Sequence, residues 1–343
     1  MVFVHNMILC RLPYLAIAAT LASAPAAFVA QTRAPETADV LRLDPALDRL
    51  VPPGARLEKL AGNLQRAEGP VWIPGGGYLV FSDLNEIMKW APGSSISVFR
   101  SRTFSGTAPA GVRVGTNGLT LDRQGRLVGV EHGNRRVSRF ETNGETTVLA
   151  DRYSGKRLNS PNDLVIKKSG EAYFTDPPYF SRQPVSQENP EFRQELAFNG
   201  VYRVTNEGKV ELLVKELGSP NGLAFSPNET KLYVANSRPE KMWMVYDVNR
   251  DGTLAAGKVF MDVSMDATEA VPDGMKVDTL GNLYATGPAG VLVISPEGKH
   301  LGTIQVPEIA SNCAWGDADG KTLYVTARTG LYRIKLNVAG ARP

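Results

Sequence analysis

The chain has 343 residues, with 33 glycines, 23 prolines and a formal net charge of +3 at neutral pH. So small a charge, spread over the whole length without a basic stripe, argues against nucleic-acid binding. Plentiful glycine and proline, with few long amphipathic helical patterns, favour an all-β fold of many short strands joined by turns.

Residues 1–30 differ in kind from the rest of the chain. Arg11 precedes an uncharged run, residues 12–30, that is rich in Ala, Leu and Ile, and Ala24-Pro25-Ala26 offers a cleavage site of small residues. This pattern predicts a secretory signal peptide and a periplasmic or secreted mature protein without a membrane segment. An uncleaved membrane anchor is the alternative, although a serine and a proline interrupt the apolar run.

The two cysteines are expected to form no disulfide. Cys10 precedes the apolar run and does not look like a lipoprotein cysteine, whether translation starts at Met1 or at Met7. Removal of the signal peptide leaves Cys313 alone, so the mature chain has no internal partner for it despite an oxidising destination.

After a polar lead-in at residues 31–54, one hairpin pattern recurs six times through residues 55–339. Each copy begins with a polar residue and alternating apolar residues, turns at a glycine-containing loop, and ends in a second β-rich run. The leading polar residues are Glu68, Asn117, Asn162, Asn221, Asp273 and Asn312. Their spacing of about 40 to 60 residues, with a second strand pair after each hairpin, predicts a six-bladed β-propeller with four antiparallel strands per blade. A strand near residues 55–60 is expected to close the last blade.

The predicted propeller brings these leading residues to one mouth of its central channel, because the first strand of each blade lines that channel. The second strand is antiparallel and returns to the same mouth. The residues at its end are Asp83, His132, Asp176 and Asn236. Two long connections, residues 99–116 and 177–199, lie on this face as well. Long loops on a rigid scaffold often bind ligands, so function is expected here.

The second connection carries four aromatic residues, which either pack the loop or contact a substrate. They are Tyr179, Phe180, Phe192 and Phe198.

The leading residues comprise two carboxylates and four amides, with no paired cation at equivalent positions. Buried together, Glu68 and Asp273 would repel each other and lose solvation, a conflict that a bound cation removes. Oxygen donors, without cysteine and with only a peripheral histidine, suit Ca²⁺ or Mg²⁺ better than Zn²⁺, and Ca²⁺ tolerates irregular geometry. Alternatively, each leading residue only caps its own turn, above all Asn117 and Asn312, and His132 is a hydrogen-bonded rim residue.

Four motifs resemble those of the senescence-marker-protein/gluconolactonase family. They are Ala67-Glu68-Gly69-Pro70-Val71-Trp72, Ser160-Pro161-Asn162-Asp163-Leu164, Ser219-Pro220-Asn221-Gly222-Leu223 and Pro272-Asp273-Gly274-Met275. The resemblance implies a six-bladed propeller with a divalent cation, commonly Ca²⁺, in the channel mouth. It implies hydrolysis of lactones, and in relatives of organophosphate esters. The ligands that it implies are Glu68, Asn162, Asn221 and Asp273.

Two further stretches look like the bacterial gluconolactonase branch of that family, Phe174–Tyr179 and Glu131–Arg136. The animal enzymes carry an arginine two residues before the motif asparagine, where it helps to hold a sugar lactone. That position here is Ser160, and the nearest arginine is Arg157.

The expected mechanism is metal-assisted ester hydrolysis, in which the cation polarises the lactone carbonyl and water attacks. Asp273 is expected to be both ligand and general base, with Asp176 as the alternative base. The residues expected to bind the substrate are Asn162, Asn117, His132 and Asp176. The alternatives are hydrolysis of other activated esters, such as organophosphates, at the same site, or a non-catalytic propeller that binds ligands or proteins around a structural cation.

Two other enzyme classes are disfavoured. The sequence has no G-x-S-x-G motif and only three histidines, which argues against a Ser-His-Asp hydrolase. It also has no G-x-G-x-x-G opening a helix after a strand, which argues against a dinucleotide-binding fold.

Overall fold

The computed structural model describes residues 39–108, 112–179 and 189–341, all within one compact unit. The predicted signal peptide and Phe180 lie outside these residues. Among the residues described, no helix has the length and apolar character needed to cross a membrane. The single described cysteine, Cys313, is buried and unpaired.

The lead-in contributes two strands and a 3₁₀ helix to the fold. Strand β1 (Val40–Arg42) is followed by a helical turn at Pro45–Arg49 and by β2 (Glu58–Ala61). Asp44 caps the turn by accepting the backbone N–H of Ala46 at 2.7 Å. The turn buries Leu47 completely against the sheets, so this segment is part of the propeller core rather than a separate tail.

The first three sheets follow in chain order, each with its strands hydrogen-bonded to the next and antiparallel. Blade one is β3 (Ala67–Ile73), β4 (Tyr78–Asp83), β5 (Glu86–Trp90) and β6 (Ser97–Arg100). Blade two is β7 (Thr116–Leu121), β8 (Leu127–Glu131), β9 (Arg136–Phe140) and β10 (Thr146–Ala150). A two-stranded hairpin, β11 (Arg152–Tyr153) and β12 (Lys156–Arg157), precedes blade three. Blade three is β13 (Leu164–Ile166), β14 (Ala172–Asp176), β15 (Gly200–Val204) and β16 (Val210–Val214), with a 3₁₀ turn at Pro190–Phe192 between β14 and β15.

The last three sheets complete the ring. Blade four is β17 (Pro220–Phe225), β18 (Lys231–Asn236), β19 (Met242–Asp247) and β20 (Lys258–Asp262). Blade five is β21 (Met275–Val277), β22 (Leu283–Gly287), β23 (Gly290–Ile294) and β24 (His300–Gln305), with β1 added outside β24. Blade six is β25 (Ala310–Gly316), β26 (Thr322–Ala327) and β27 (Leu331–Lys335), with β2 as its outer strand.

The six-bladed architecture with four antiparallel strands per blade is therefore confirmed, including closure of the last blade by a strand from the lead-in. The first strand of each blade contacts the first strands of both neighbouring blades, which closes an inner ring around the channel. The fifth strand of blade five was not predicted. This strand is only three residues long, which is too short for an alternation of apolar and polar residues to be recognised in the sequence.

Aromatic residues of the second strands hold neighbouring blades together. Tyr324 stacks on Trp72 of blade one, with ring centroids 5.5 Å apart, and Tyr284 meets Trp315 of blade six edge-on at 5.0 Å. Such pairs contribute roughly 0.5–1.5 kcal/mol each beyond the apolar area that they bury. This packing makes the inner ring a rigid support for the residues at its mouth.

Candidate active site at the channel mouth

Irregular pairing places the leading residues at the mouth. In four blades, the pairing of the first strand with the second shifts register beside the leading residue. These shifts lie between Glu68 and Val71, Thr116 and Leu119, Pro220 and Leu223, and Ala310 and Asn312. A bulge of this kind bends a strand and redirects its side chains. In the other two blades, Asn162 and Asp273 come just before the inner strand begins.

Five of the six leading side chains are buried, with 5% exposure or less, and Asp273 is partly exposed. The buried ones are Glu68, Asn117, Asn162, Asn221 and Asn312. The only leading side chain with access to solvent is thus a carboxylate.

Glycines beside the leading residues let adjacent blades approach closely. A Cβ atom on Gly222 would lie 2.3 Å from the backbone oxygen of Asp273, and one on Gly274 would lie 2.0 Å from the side chain of Asn312. No real Cβ tolerates such distances. Asp273 and Asn312 are thereby positioned by contact with the preceding blade.

The residues that end the second strands clamp the loops that enter the first strands. The two carboxylate oxygens of Asp176 accept the backbone N–H groups of Asn159 and Ser160 at 2.7 and 2.8 Å. Asp83 accepts the N–H of Arg66 at 2.6 Å, and Asn236 accepts that of Ser219 at 2.9 Å. In each of these three blades, a clamped N–H lies two residues before the leading residue. These contacts favour a structural role for Asp176 over substrate binding or proton transfer.

Asp176→Asn is expected to weaken the pH dependence of stability. Burial raises the pKa of Asp176 to about 7, against the opposing hydrogen bonds from Asn159 and Ser160. Because the pKa of Asp176 is higher in the folded than in the unfolded state, protonation of Asp176 stabilises the folded state in acid, and this stabilisation is lost as the pH rises to about 7. Asparagine does not titrate. Between pH 5 and pH 8, the free energy of unfolding of Asp176→Asn should therefore decrease by roughly 2–4 kcal/mol less than that of the wild type, as measured by urea denaturation.

Asp151→Asn, on the exposed side chain of Asp151, is the matched control and should keep the wild-type pH dependence. If the free energy of unfolding depended on pH in the same way for Asp176→Asn and the wild type, Asp176 would not be the group whose titration changes the stability.

The centre of the site holds more charge than the repeats indicated. Burial raises the pKa of Glu68 to about 7, with Arg113 opposing this and Asp163 adding to it. Burial also raises the pKa of Asp273, and the negative charges of Glu68 and Asp163 raise it further. The negative charge of Glu68 thus acts on Asp273, the other predicted carboxylate ligand.

Asp163 is a third carboxylate that the sequence interpretation did not single out. Its Oδ2 accepts a hydrogen bond from Nδ2 of Asn312 at 3.2 Å, across the channel. Burial raises its pKa, while the charge of Lys276 lowers it. The signal was present in the sequence, because blade three has an aspartate where four other motifs have glycine. Asn312 therefore has a structural contact, in line with one of the alternatives considered.

The amide side chains are held so that their oxygens remain available. Nδ2 of Asn221 donates to the hydroxyl oxygens of Tyr179 and Ser237, at 3.0 and 2.9 Å. Its Oδ1 accepts no hydrogen bond among the described residues. The side chain of Asn162 makes no hydrogen bond within the same part of the chain, and its backbone carbonyl accepts the N–H of Gly118 at 2.9 Å.

Two predicted substrate-binding residues contact each other. Nδ2 of Asn117 lies 3.2 Å from Nε2 of His132, whose pKa is well below its usual value because of burial and the nearby charges of Arg113 and Arg66. A neutral ring with Nε2 as acceptor fits this contact. The ring of Tyr179 is 5.6 Å from that of His132, so this aromatic residue of the second connection reaches the site.

The two other aromatic residues of that connection that the structure describes, Phe192 and Phe198, pack the loop. Phe192 contacts Phe104 at 6.3 Å, and Phe198 contacts Tyr153 at 6.3 Å. Ser160 is also structural, because its hydroxyl donates to the carbonyl of Pro177 and accepts the N–H of Tyr179. Arg157 lies on β12 and donates to the carbonyl of Glu191.

Arg113 is the functional-site residue that the repeats did not reveal. It lies in the first long connection, outside the repeating hairpins, and is partly buried near Glu68 and Asp273. No periodic signal identifies a residue of this kind.

The donor set fits a hard divalent cation. Within the described residues, Glu68 accepts only the N–H of Gly69, at 3.2 Å, and the amide oxygens of Asn162 and Asn221 accept no hydrogen bond. The described residues contain no group of three or more His, Cys, Asp and Glu side chains placed to hold a metal ion. A cation here would therefore depend on amide oxygens, which Ca²⁺ accepts readily.

Comparison with known proteins identifies several relatives. The family described as "SMP-30/Gluconolactonase/LRE-like region" matches residues 66–329. A protein named gluconolactonase from Zymomonas mobilis is 34% identical over 314 residues, which cover 88% of this chain and 87% of that protein.

Two solved structures resemble this chain in fold. A gluconolactonase from Xanthomonas campestris superimposes with a TM-score of 0.76 at 33% identity, over 88% of this chain and 96% of that one. A calcium-binding regucalcin from Agrobacterium tumefaciens superimposes with a TM-score of 0.63 at 19% identity, over 82% and 95% of the two chains. At that identity the second likeness shows a shared fold alone.

Proposed function

The chain belongs to the SMP-30/gluconolactonase/LRE-like family, and we propose that it is a hydrolase that opens lactones at the channel mouth with the help of a divalent cation. Ca²⁺ is the preferred ion, and its ligands are Glu68, Asn162, Asn221 and Asp273. The observation that carries the proposal is the convergence at one mouth of the buried carboxylate of Glu68 and the partly exposed carboxylate of Asp273, whose negative charges repel, with the free amide oxygens of Asn162 and Asn221. The gluconolactonase relatives support the lactone substrate.

A cation bound there would supply Lewis-acid polarisation of the lactone carbonyl. The protein's own contribution to the chemistry centres on Asp273, the leading carboxylate with access to solvent. Asp273 takes a proton from water as the water oxygen adds to the carbonyl carbon. The ring C–O bond then breaks, the alkoxide oxygen receives the proton, and the product is a hydroxy acid. Asp176 takes no part, because both of its oxygens are engaged by the backbone.

Substrate orientation falls to the polar residues around the mouth. Asn117 and His132 form one hydrogen-bonded unit, and Tyr179 bridges toward Asn221. Neutral donors and acceptors of this kind suit the hydroxyl groups of a sugar lactone. Asn162 completes the set, since its amide has no other hydrogen bond among the described residues.

A substrate panel tests the proposal. We expect the protein to hydrolyse sugar lactones, as measured by pH-stat titration of the acid formed. This activity should be lost after treatment with a chelator. A protein that binds Ca²⁺ but hydrolyses only phosphotriesters would place it among the organophosphate-hydrolysing alternatives. A folded, cation-loaded protein inert toward every lactone and ester would identify a binding propeller. The proposed location is periplasmic or secreted, on the signal-peptide pattern alone.

A further inference from the structure

One arginine lies at the mouth, beside a buried apolar cluster. Val112 and Val114 are buried in a cluster with Phe104 and Phe192. Arg113 between them is not part of this cluster, and the groups whose charges act on it, Glu68, Tyr179 and Asp273, lie at the mouth.

Backbone hydrogen bonds fix the segment that carries Arg113. The carbonyl of Val114 accepts the N–H of Gly133 at 2.8 Å, and that of Gly115 accepts the N–H of His132 at 3.0 Å. A Cβ on Gly115 would lie 1.6 Å from the carbonyl oxygen of Leu84, so the segment also packs tightly on blade one. Arg113 is held in place by its backbone rather than by side-chain contacts.

The guanidinium of Arg113 makes no hydrogen bond or ion pair with any part of the chain that the structure describes, and no carboxylate oxygen there lies within 4.0 Å of it. Arginine has five N–H donors, and those that are buried normally find acceptors. Arg135, a buried arginine between β8 and β9, has such acceptors for Nε and Nη1, and its Nη2 has none within the described residues. It donates to the carbonyls of Leu158, Glu191 and Arg193. Arg113 is thus a preorganised donor without an acceptor among the residues that the structure describes.

The charges around Arg113 favour an anion. A divalent cation would balance Glu68 and Asp273, which leaves the charge of Arg113 uncompensated, and Arg66 adds a further positive charge nearby. The charge of Asp163 is offset by that of Lys276, which lowers the pKa of this carboxyl against the effect of burial. A cleft with excess positive charge attracts anionic ligands.

We propose that Arg113 is a specificity-determining residue that binds a carboxylate of the substrate, so that lactones carrying a carboxylate are preferred over neutral sugar lactones. The planar guanidinium fork matches a carboxylate with two parallel hydrogen bonds, which a hydroxyl group cannot reproduce. This inference rests on the proposed lactonase function.

The test compares D-glucaro-1,4-lactone with D-glucono-1,4-lactone, which differ in having a carboxylate or a primary alcohol at C6. We expect Arg113→Gln to raise KM for the glucarolactone about 10- to 100-fold, because the hydrogen bonds between the charged guanidinium and the carboxylate are lost. Its kcat and both constants for the gluconolactone should change less than about threefold. Arg113→Lys should restore part of the affinity, since it keeps the charge but loses the fork.

Equal effects on both lactones, or no preference of the wild type for the glucarolactone, would overturn the inference. So would a change confined to inhibition by gluconate, because Arg113 would then bind the carboxylate formed on ring opening. A thermal melt of each variant establishes that it is folded before its kinetics are compared.

Calorimetric binding of glucarate separates this inference from the lactonase proposal, because it needs no turnover. If the wild type hydrolyses neither lactone but Arg113→Gln weakens glucarate binding at least tenfold, the lactonase proposal fails and the carboxylate site stands. If glucarate binds both proteins equally, the carboxylate site is overturned even where lactones are hydrolysed.

Discussion

Replacing Asp273 with asparagine is expected to lower kcat for lactone hydrolysis by at least about 10³-fold, the scale of losing a general base. The substitution keeps the shape of the side chain and removes its charge, so it eliminates both the proton acceptor and one anionic ligand. The fold should survive, because burial and the charges of Glu68 and Asp163 already raise the pKa of Asp273. Initial rates with a sugar lactone, beside calorimetric Ca²⁺ titration, measure the two losses separately.

Asp247→Asn is the matched control for this experiment. Asp247 lies at the end of β19, is 62% exposed in its side chain and pairs with Lys231 at 2.9 Å. It lies outside the site, so its substitution should leave turnover unchanged. Turnover of Asp273→Asn within tenfold of the wild type would show that another group accepts the proton.

Gly222→Ala is expected to damage the site without changing any polar group. The new Cβ would lie 2.3 Å from the oxygen of Asp273 and 2.7 Å from the Cα of Gly274, both backbone atoms of the next blade. Relief of this overlap must move blade five, at a cost of about 2–3 kcal/mol in the free energy of unfolding. A displacement of Asp273 by about 1 Å would lower kcat/KM by about 100-fold.

Gly75→Ala provides the comparison, because no atom lies within 4 Å of its added Cβ. Urea denaturation and lactone kinetics on both variants should separate them clearly. Unchanged stability and activity in Gly222→Ala would mean that blade-to-blade contact does not position Asp273.

The periodic part of the molecule could be predicted from the sequence. Six polar residues at a spacing of about 40 to 60 residues sufficed for the blades, the closure of blade six and the shared mouth, because each blade repeats one hairpin. The mutual proximity of Glu68 and Asp273 followed from this geometry alone. Their raised pKa values agree with it.

The remainder of the site depends on contacts that have no period. Arg113 reaches the mouth from a connection between blades, where its two flanking valines are buried. Asp176 was expected at the mouth, but its position in a strand could not reveal that both oxygens would accept backbone N–H groups. Sequence analysis places residues at an end of the propeller, whereas hydrogen bonds decide which of them remain available for a ligand.

The most direct test of the account is a Ca²⁺ titration of the chelator-treated protein in which bound cation and the rate of sugar-lactone hydrolysis are measured on the same samples. We expect one high-affinity Ca²⁺ per chain, with activity returning in proportion to the bound ion and saturating at one equivalent. Glu68→Gln should weaken both binding and recovery. Full hydrolytic activity in the cation-free protein would contradict the account.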